Sequence, residues 1–455
     1  MTANLEAYFQ ERRDRYIAEL VEFLRIPSIS SIPSHEPHMR EAAAFVVRLL
    51  QQAGVDRVES FETGGAPIVY AEWQGAPGAY TVLIYGHYDV QPPDPLDRWE
   101  SPPFEPSFRD ERIYARGVSD DKGPLFQAIK AVEALHAVRG SAPVNIKFLI
   151  EGEEEVSSRH LAAFVQEKAD LLAADLVISA DGAMWRTDEP SVTYACRGGC
   201  SLQIDLTTAS IPLHSGRFGG AIPNAALALA EILAGLHDAH GAVAVEGFYD
   251  HVLPVAPDEQ AALLALPFRD DEFQASLGLA GLAGEEGFTT LERLWTRPTL
   301  EVTGMWGGYI GEGSQGIVPA ESHAKISCRL VANQQPEQVL DAIERHIMTH
   351  LPPGVRVQIS RGGGSVPYVM PRDLPALKVA AEVLTETMGK EAALVRMGAS
   401  EPAAILFEKA LGAYTLFYSF STADEQFHAP NEFFRLERFD TGLRAWSRLL
   451  ERLGE

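Results

Sequence analysis

The amino-acid sequence predicts an α/β protein, in which helices flank a mostly parallel sheet and a smaller α+β domain is inserted. Strand-like apolar runs alternate with helical runs over residues 1–195, which is typical of a parallel sheet. From 196 to 363 the strands instead alternate apolar and polar residues, as in an antiparallel sheet with one exposed face. Residues 364–455 return to helix, strand and helix. We therefore predict that 1–195 and 364–455 form one domain and that 196–363 form the inserted one.

The first domain is predicted element by element from its hydrophobic periodicity. Apolar residues recur at helical spacing from Leu5 to Leu24, and Pro27 ends that run. Further helices are predicted over 40–53 and 124–138, and strands over 67–73, 81–86, 144–150 and 175–180.

The inserted domain is predicted as strand-helix-strand units. Residues 200–206 and 323–330 alternate as half-exposed strands, and another strand is expected near 354–360. Helices are predicted over 225–236 and 336–349. The segment 240–300 is expected to be a long, mobile connection.

Composition limits the classes of partner. The 455 residues include 38 basic and 63 acidic side chains, a net charge of −25, which argues against nucleic acid or an anionic membrane as a partner. The chain has no apolar run near the roughly twenty residues of a membrane span. Its start lacks the basic and apolar regions of a signal peptide. Cys196, Cys200 and Cys328 cannot form a disulfide framework, so we expect reduced thiols and a cytoplasmic protein.

His87 is the first candidate functional residue. It ends the apolar run 82–86, and Asp89 lies on the same side of the extended backbone because side chains alternate with period two. A metal-binding histidine needs one ring nitrogen for the ion and an acceptor, often a carboxylate, for the other. The pair His87 and Asp89 meets both needs.

Like His87, several other acidic or imidazole side chains follow a predicted strand, and one precedes a predicted helix. In open α/β sheets, sites form beyond the carboxyl ends of the strands, and two imidazoles with several carboxylates suit a pair of zinc-like ions. A carboxylate shared between ions about 4 Å apart is the usual bridge. The groups are Asp120 before the 124–138 helix, Glu151 to Glu155 after one strand, Asp181 after another, and His428 in a loop after a strand at 413–418.

Each group also has an ordinary structural interpretation. Asp120 suits a helix N-cap, and Asp181 followed by glycine suits a turn. Acidic clusters are commonly solvated turns, and His428 alone suits a surface histidine. The occurrence of all the groups at strand ends favours a site.

The sequence is identified as a member of the M20 metallopeptidase family, which includes dipeptidases, carnosinase-like enzymes, glutamate carboxypeptidases and N-acyl-amino-acid deacylases. The matching segments follow the family order across nearly the whole chain. They are Gly86-His87-Tyr88-Asp89-Val90, Arg116-Gly117-Val118-Ser119-Asp120-Asp121-Lys122-Gly123, Glu153-Glu154-Glu155, Ser179-Ala180-Asp181-Gly182, Leu213-His214-Ser215-Gly216 and His428-Ala429-Pro430-Asn431-Glu432.

The resemblance implies a catalytic domain, an inserted lid and dimerisation domain, and a homodimer. It implies two divalent ions, taken as zinc with manganese or cobalt as alternatives, whose bridging water attacks the amide bond of a dipeptide or short peptide. The implied metal ligands are His87, Asp120, Glu155, Asp181 and His428, with Asp120 as the bridge.

The resemblance also implies the other catalytic roles. Asp89 holds the His87 ring, and Glu154 is the general base. His214 reaches across the dimer into the partner's active site and helps to stabilise the oxyanion, although a turn residue in a glycine-rich loop is the alternative. Arg329 and Ser400 bind the substrate, with an ordinary strand-surface charge as the alternative for Arg329.

The chain departs from the family pattern in two places. Met397 and Ala399 precede Ser400 and Glu401-Pro402 follows it, and Val156-Ser157-Ser158 lacks the glycine usual after the acidic cluster. Neither change alters a metal ligand, but both affect the expected substrate preference. The inserted domain favours a dipeptidase; the alternatives are a deacylase acting on N-acyl amino acids, a non-catalytic scaffold with the same fold, and a two-metal phosphoesterase.

Overall fold

The computed structural model describes residues 2–75 and 77–455, which fold as two compact units. The first unit comprises the chain up to Tyr194 together with Met370–Val395 and Ala403–Glu455. The second unit comprises Ala195–Val369 and Arg396–Pro402.

The observed units differ from the predicted domains at Ala195, which belongs to the second unit, and in two short segments. Residues 364–369 and 396–402, predicted for the first domain, belong to the second unit. In the first of these segments, Tyr368 pairs with Cys196 as a short β-ladder. In the other, Met397 accepts the backbone N–H of Arg197 at 3.2 Å. Such long-range pairings leave no local pattern in the sequence.

Helices are distributed along the whole chain. They are α1 (Thr2–Leu24), α2 (Glu36–Gln52), α3 (Lys122–Arg139), α4 (Leu161–Glu167), α5 (Ala169–Leu172), α6 (Ser215–Phe218), α7 (Ala225–Ala234), α8 (Pro257–Ala265), α9 (Asp270–Ser276), α10 (Thr290–Trp295), α11 (Pro336–Thr349), α12 (Pro375–Met388), α13 (Pro402–Leu411) and α14 (Leu436–Leu453).

Strands alternate with these helices. They are β1 (Arg57–Phe61), β2 (Ile68–Trp73), β3 (Thr81–His87), β4 (Ser107–Arg109), β5 (Arg112–Tyr114), β6 (Asn145–Glu151), β7 (Leu176–Ser179), β8 (Ser191–Cys196), β9 (Gly198–Thr207), β10 (Leu213–His214), β11 (Thr299–Gly307), β12 (Ile317–Val318), β13 (Glu321–Leu330), β14 (Arg356–Ser365), β15 (Tyr368–Val369), β16 (Ala393–Met397), β17 (Tyr414–Phe417) and β18 (Phe433–Arg435).

The main sheet of the first unit has the strand order β1-β2-β6-β3-β7-β17-β8. The central strands β6, β3, β7 and β17 all run in the same direction, and β1, β2 and β8 join them through antiparallel pairs. The short strands β15 and β16 also pair with β8. This confirms the predicted mostly parallel sheet. Because the central strands are parallel, their carboxyl ends meet at one edge.

Burial explains why the central strands are continuous apolar runs. Every residue of β7 is buried, as is every residue of β3 after Thr81. Helix α3 is buried along nearly its whole length and packs against α1 and α14. Strands covered on both faces need apolar residues at every position rather than alternation.

The second unit is built on an antiparallel sheet in the order β11-β13-β9-β14. Burial alternates strictly along β9, so Leu202, Ile204 and Leu206 point into a core that includes residues of α7 and α11. The predicted one-sided sheet is therefore present. Cys196, Cys200 and Cys328 are buried free thiols, as expected.

The segment 240–300 contains more regular structure than its sequence pattern predicts. It contains α8, α9 and α10 and leads directly into β11. Thr289 and Glu292 form a reciprocal capping box at the start of α10, a signal that was present in the sequence. These helices are too short to show clear hydrophobic periodicity, which is why the pattern did not predict them.

The helices of the described chain, residues 2–75 and 77–455, include none with the length and apolar character needed to cross a bilayer.

Candidate metal centre

The candidate site lies at the carboxyl edge of the parallel strands in the first unit. His87 is the last residue of β3, and Asp181 follows β7 by two residues. Glu155 follows β6 in a single 3₁₀ turn, Glu154–Val156. The parallel pairing of β3 with both β6 and β7 brings these positions together.

One group of ligand atoms forms around His87. Its Nε2 lies 3.1 Å from Asp120 Oδ1 and 3.7 Å from Asp181 Oδ2. One ligand atom from each of these side chains fits within 4.8 Å of the others. The imidazole is fully buried, so this geometry is fixed by the core of the unit.

A second group forms around His428. Its Nε2 lies 2.8 Å from Asp120 Oδ2 and 3.1 Å from Glu155 Oε2. Asp120 therefore directs one carboxylate oxygen to each group, which is the arrangement of a bridging ligand.

The chemistry of these side chains fits divalent metal ions. Imidazole nitrogen and carboxylate oxygen suit zinc, manganese or cobalt. Burial raises the pKa of Asp181 to about 6, and the nearby charge of Asp120 acts in the same direction while His87 opposes it. Although burial opposes the change, hydrogen bonds from His428 and His87 lower the pKa of Asp120 below its usual range. A bound cation would favour the ionised form of such crowded acids.

Asp89 fixes both the His87 ring and the acidic turn. Its Oδ1 lies 3.3 Å from His87 Nδ1, and the ring nitrogen is also 3.1 Å from the Asp89 backbone oxygen. The same buried carboxylate accepts the backbone N–H groups of Glu154 and Glu155 at 3.3 and 3.1 Å. With Nδ1 held in this way, Nε2 is left to face a metal ion.

The loop that carries Asp120 is held by Glu432. This fully buried carboxylate accepts the N–H groups of Gly117 and Ser119 at 2.9 Å and that of Asp120 at 3.2 Å, and Arg116 donates to it at 2.8 Å. The N-cap position of α3 is occupied by Asp121. The alternative interpretation of Asp120 as a helix cap is therefore wrong, and its side chain is available to the site.

Two further residues, Gln91 and Asp121, position the candidate ligands and were not among the predicted site residues. Gln91 Nε2 donates to Glu155 Oε2 at 2.8 Å. Asp121 Oδ2 accepts the backbone N–H of His87 at 3.1 Å. Asp121 stands within a family motif, but no periodic pattern marks Gln91.

His428 is the most exposed ligand candidate, with 53% of its side chain accessible. Its backbone φ is 59°, in the left-handed region, and Gln426 and Asn431 in the same loop have φ values of 60° and 63°. Non-glycine residues in this region carry strain that is commonly found at functional sites. Asn431 holds the loop by donating to Arg98 O at 2.9 Å.

Glu154 supplies no atom to either group of ligands around Asp120. Burial raises the pKa of its carboxyl to about 8, and the charges of Asp181 and Glu155 add to this while His87 opposes it. A carboxylate beside a metal site but outside its ligand groups is suited to proton transfer.

The remaining predicted site residues lie in the second unit. His214 is exposed, and its Nδ1 accepts the N–H of Gly216 at 3.0 Å. Arg329 is also exposed, and its Nη1 donates to Ser400 Oγ at 3.0 Å. The structure thus brings Arg329 and Ser400 together although 71 positions separate them.

Comparison with known proteins identifies relatives of the whole chain. The model of peptidase family M20/M25/M40 matches residues 83–452. Human Beta-Ala-His dipeptidase is 28% identical over 93% of this chain and 87% of its own. A Cys-Gly metallodipeptidase of Candida albicans is 28% identical over 98% of this chain and 96% of its own. A metallo-carboxypeptidase structure from Sulfolobus solfataricus is 30% identical with a TM-score of 0.84, covering 96% of this chain and 99% of the other.

The two ligand groups predict a defined metal stoichiometry. We expect the wild-type protein to bind about two zinc ions per chain, Asp181→Ala to bind about one, and Asp120→Ala to bind fewer than one, because Asp120 serves both groups. Metal content after chelation and zinc dialysis, measured by mass spectrometry, provides the test. Glu153→Gln is the control, since its carboxylate instead lies 2.7 Å from His160 Nδ1. Equal losses in Asp120→Ala and Asp181→Ala would contradict a bridging role.

Asp89→Asn should weaken zinc binding by about 10–100-fold while the protein stays folded. The amide keeps the size of the side chain but loses the charge that holds His87 and the two N–H groups of the acidic turn. Competition with a zinc-binding dye measures the affinity, and urea unfolding checks the fold. Asp97→Asn, which changes an exposed acid in the 3₁₀ turn Leu96–Arg98, should keep wild-type affinity. Unchanged affinity in Asp89→Asn would remove this carboxylate from the site.

Proposed function

Because the chain belongs to peptidase family M20/M25/M40, we propose that it is a two-metal dipeptidase that hydrolyses the peptide bond of unblocked dipeptides. The observation that supports this most directly is the pair of ligand groups that share Asp120, with Glu154 beside them and outside both.

The residues named above would hold two ions. His87, Asp120 and Asp181 are the proposed ligands of one, and Asp120, Glu155 and His428 those of the other. When bound, the ions supply Lewis acidity, which polarises a carbonyl oxygen and lowers the pKa of water.

Glu154 is the proposed general base. It takes a proton from the attacking water as the new carbon–oxygen bond forms, and it returns that proton to the departing amine as the carbon–nitrogen bond breaks. The acidic turn that carries Glu154 is anchored through its N–H groups to Asp89. This anchoring keeps the base in place while its carboxylate remains free to accept a proton.

Arg329 and Ser400 are the proposed binding groups for the substrate carboxylate. A guanidinium presents paired N–H donors that match a carboxylate. Relatives that cover almost the whole chain are named for the dipeptides β-Ala-His and Cys-Gly, both of which end in a free carboxylate.

His214 is the proposed donor to the oxyanion. Because its Nδ1 accepts the N–H of Gly216, the proton of the neutral ring resides on Nε2. The exposed Nε2–H can then donate a hydrogen bond to developing negative charge. We propose that His214 serves the active site of the partner subunit in a homodimer.

Exposed apolar side chains on the second unit support a homodimer. Ile310 is 85% exposed, Ile211 61% and Met305 52%, and Trp306 and Tyr309 are also exposed. Ile211, Trp306, Tyr309 and Ile310 line one cavity of about 410 Å³. The strand β11, which carries Met305 and Trp306, stands at the end of its sheet. Exposed edges and grouped apolar residues are typical of protein interfaces.

Glu154→Gln should retain two zinc ions but lose about 10²–10⁴-fold in kcat on dipeptides such as Gly-Ala, because the amide cannot accept the proton. Steady-state assays with zinc-loaded protein measure the loss. Glu153→Gln, one residue earlier and paired with His160, is the matched control and should keep wild-type kcat.

The substrate class is tested with the same preparation. We expect hydrolysis of Gly-Ala and not of N-acetyl-alanine or N-succinyl amino acids. Efficient deacylation without dipeptide turnover would overturn the dipeptidase proposal, as would full activity in Glu154→Gln.

Co-expression of two inactive variants tests the role of His214. His214→Ala and Glu154→Gln chains, each with its own tag, should give mixed dimers with one complete site. Random pairing then restores about a quarter of wild-type specific activity, since half the dimers are mixed and each has one working site of two.

Separate preparations of the two variants provide the control and should both remain nearly inactive. If His214 acts within its own chain, co-expression restores nothing. If the protein is a monomer in sedimentation experiments, the homodimer proposal fails.

A further inference from the structure

A cavity of about 560 Å³ in the second unit carries more positive than negative charge. The whole chain has a net charge of −25, so this local excess does not reflect its composition. A cavity with an excess of one sign of charge attracts ligands of the opposite sign. The charged lining consists of Arg197, Arg293, Arg297 and Arg329 with Glu285 and Glu301, together with His237.

Two of the four arginines already donate hydrogen bonds to acceptors in the 283–285 segment. Arg297 forms a two-point ion pair with Glu285, at 2.6 and 2.7 Å. Arg293 donates to the backbone oxygens of Glu285 and Ala283 at 2.8 and 3.2 Å. Their donors are used to hold the 283–285 segment.

Arg197 and Arg329, in contrast, donate to uncharged acceptors. Arg197 Nε donates to Gly398 O at 3.0 Å, while its buried Nη1 has no hydrogen-bond partner among the residues that the structure describes. Arg329 donates to the neutral hydroxyl of Ser400. Burial and then the charge of Arg329 lower the pKa of Arg197 to about 10 while the charge of Glu301 opposes the change, so Arg197 lies within electrostatic reach of both Arg329 and Glu301. A buried N–H without an acceptor is costly, and a bound anion would supply one.

The local backbone makes room for both guanidinium groups. A Cβ added to Gly398 would lie 3.1 Å from Arg197 Nη2. Gly199 pairs with Arg329 across β9 and β13, and a Cβ there would lie 3.8 Å from both Arg329 Nη1 and Ser400 Oγ. Glycine at position 398 leaves the space beside the Arg197 guanidinium open, and at position 199 a side-chain carbon would only just contact Arg329 and Ser400.

We propose that Arg197 binds a second carboxylate, so that the enzyme prefers dipeptides whose C-terminal residue is aspartate or glutamate. Arg329 and Ser400 take the α-carboxylate, and Arg197 takes the carboxylate of the side chain. This inference rests on the proposed dipeptidase function.

The test compares Gly-Glu with Gly-Gln, which have the same shape and differ in charge. We expect the zinc-loaded wild type to favour Gly-Glu by about 10-fold or more in kcat/KM, chiefly through KM. Arg197→Gln should lower kcat/KM for Gly-Glu by about 10-fold more than for Gly-Gln, so that the two dipeptides become equivalent substrates. Arg197→Lys, which keeps the charge, should retain part of the preference.

Arg293→Gln is the matched control. It removes the same charge from the same cavity, but its donors serve backbone oxygens, so the wild-type preference should remain. Equal hydrolysis of both dipeptides by the wild type would overturn the proposal. So would an equal loss for both dipeptides in Arg197→Gln, which would show that Arg197 only anchors the 397–400 segment.

Binding separates this proposal from the dipeptidase function. Calorimetry with zinc-loaded Glu154→Gln should show tighter binding of Gly-Glu than of Gly-Gln, and adding Arg197→Gln should remove the difference. If the wild type hydrolyses neither dipeptide but this binding difference exists, the dipeptidase function is wrong and the anion site stands. If the two bind equally, the anion site is wrong.

Discussion

The candidate metal centre depends on holding several acidic groups together against their mutual repulsion. The chain does this with two other carboxylates, Asp89 and Glu432, that lie outside the ligand groups. Asp89 accepts the N–H groups of the acidic turn, and Glu432 accepts those of the loop before α3. Both are fully buried, where charge-assisted hydrogen bonds to backbone are strong. The ligands are thus fixed through the main chain, and their own oxygens stay available.

The position of the site could be predicted from the sequence because it follows from topology. Apolar runs ending in His87, in the Glu153–Glu155 cluster and near Asp181 indicate parallel strands, and parallel strands bring their carboxyl ends to one edge. The supporting contacts could not be predicted in this way. Gln91 reaches Glu155 from 64 positions away, and such through-space contacts leave no periodic signal.

The second unit illustrates the same limit. Its half-exposed strands could be predicted because apolar and polar residues alternate strictly along them. The short helices of 257–295 have too few turns to show a helical period of apolar residues. The place of 396–402 in this unit could not be predicted either, because it depends on long-range hydrogen bonds. Arg197 donates to Met397 and Gly398, and Arg329 donates to Ser400. Helical and strand-like stretches flank that segment and suggest continuity with the first unit.

The divided second unit bears on how such proteins can diverge. The chain enters this unit at Ala195, leaves it after Val369, and returns for Arg396–Pro402. A recombination event that exchanged only the long insertion would separate Arg197 and Arg329 from the loop that they bind. Grafting a foreign insertion therefore requires the short return segment as well. The contacts of Arg197 and Arg329 with this loop are thus encoded in two separate pieces of sequence, and a change in one piece constrains the other.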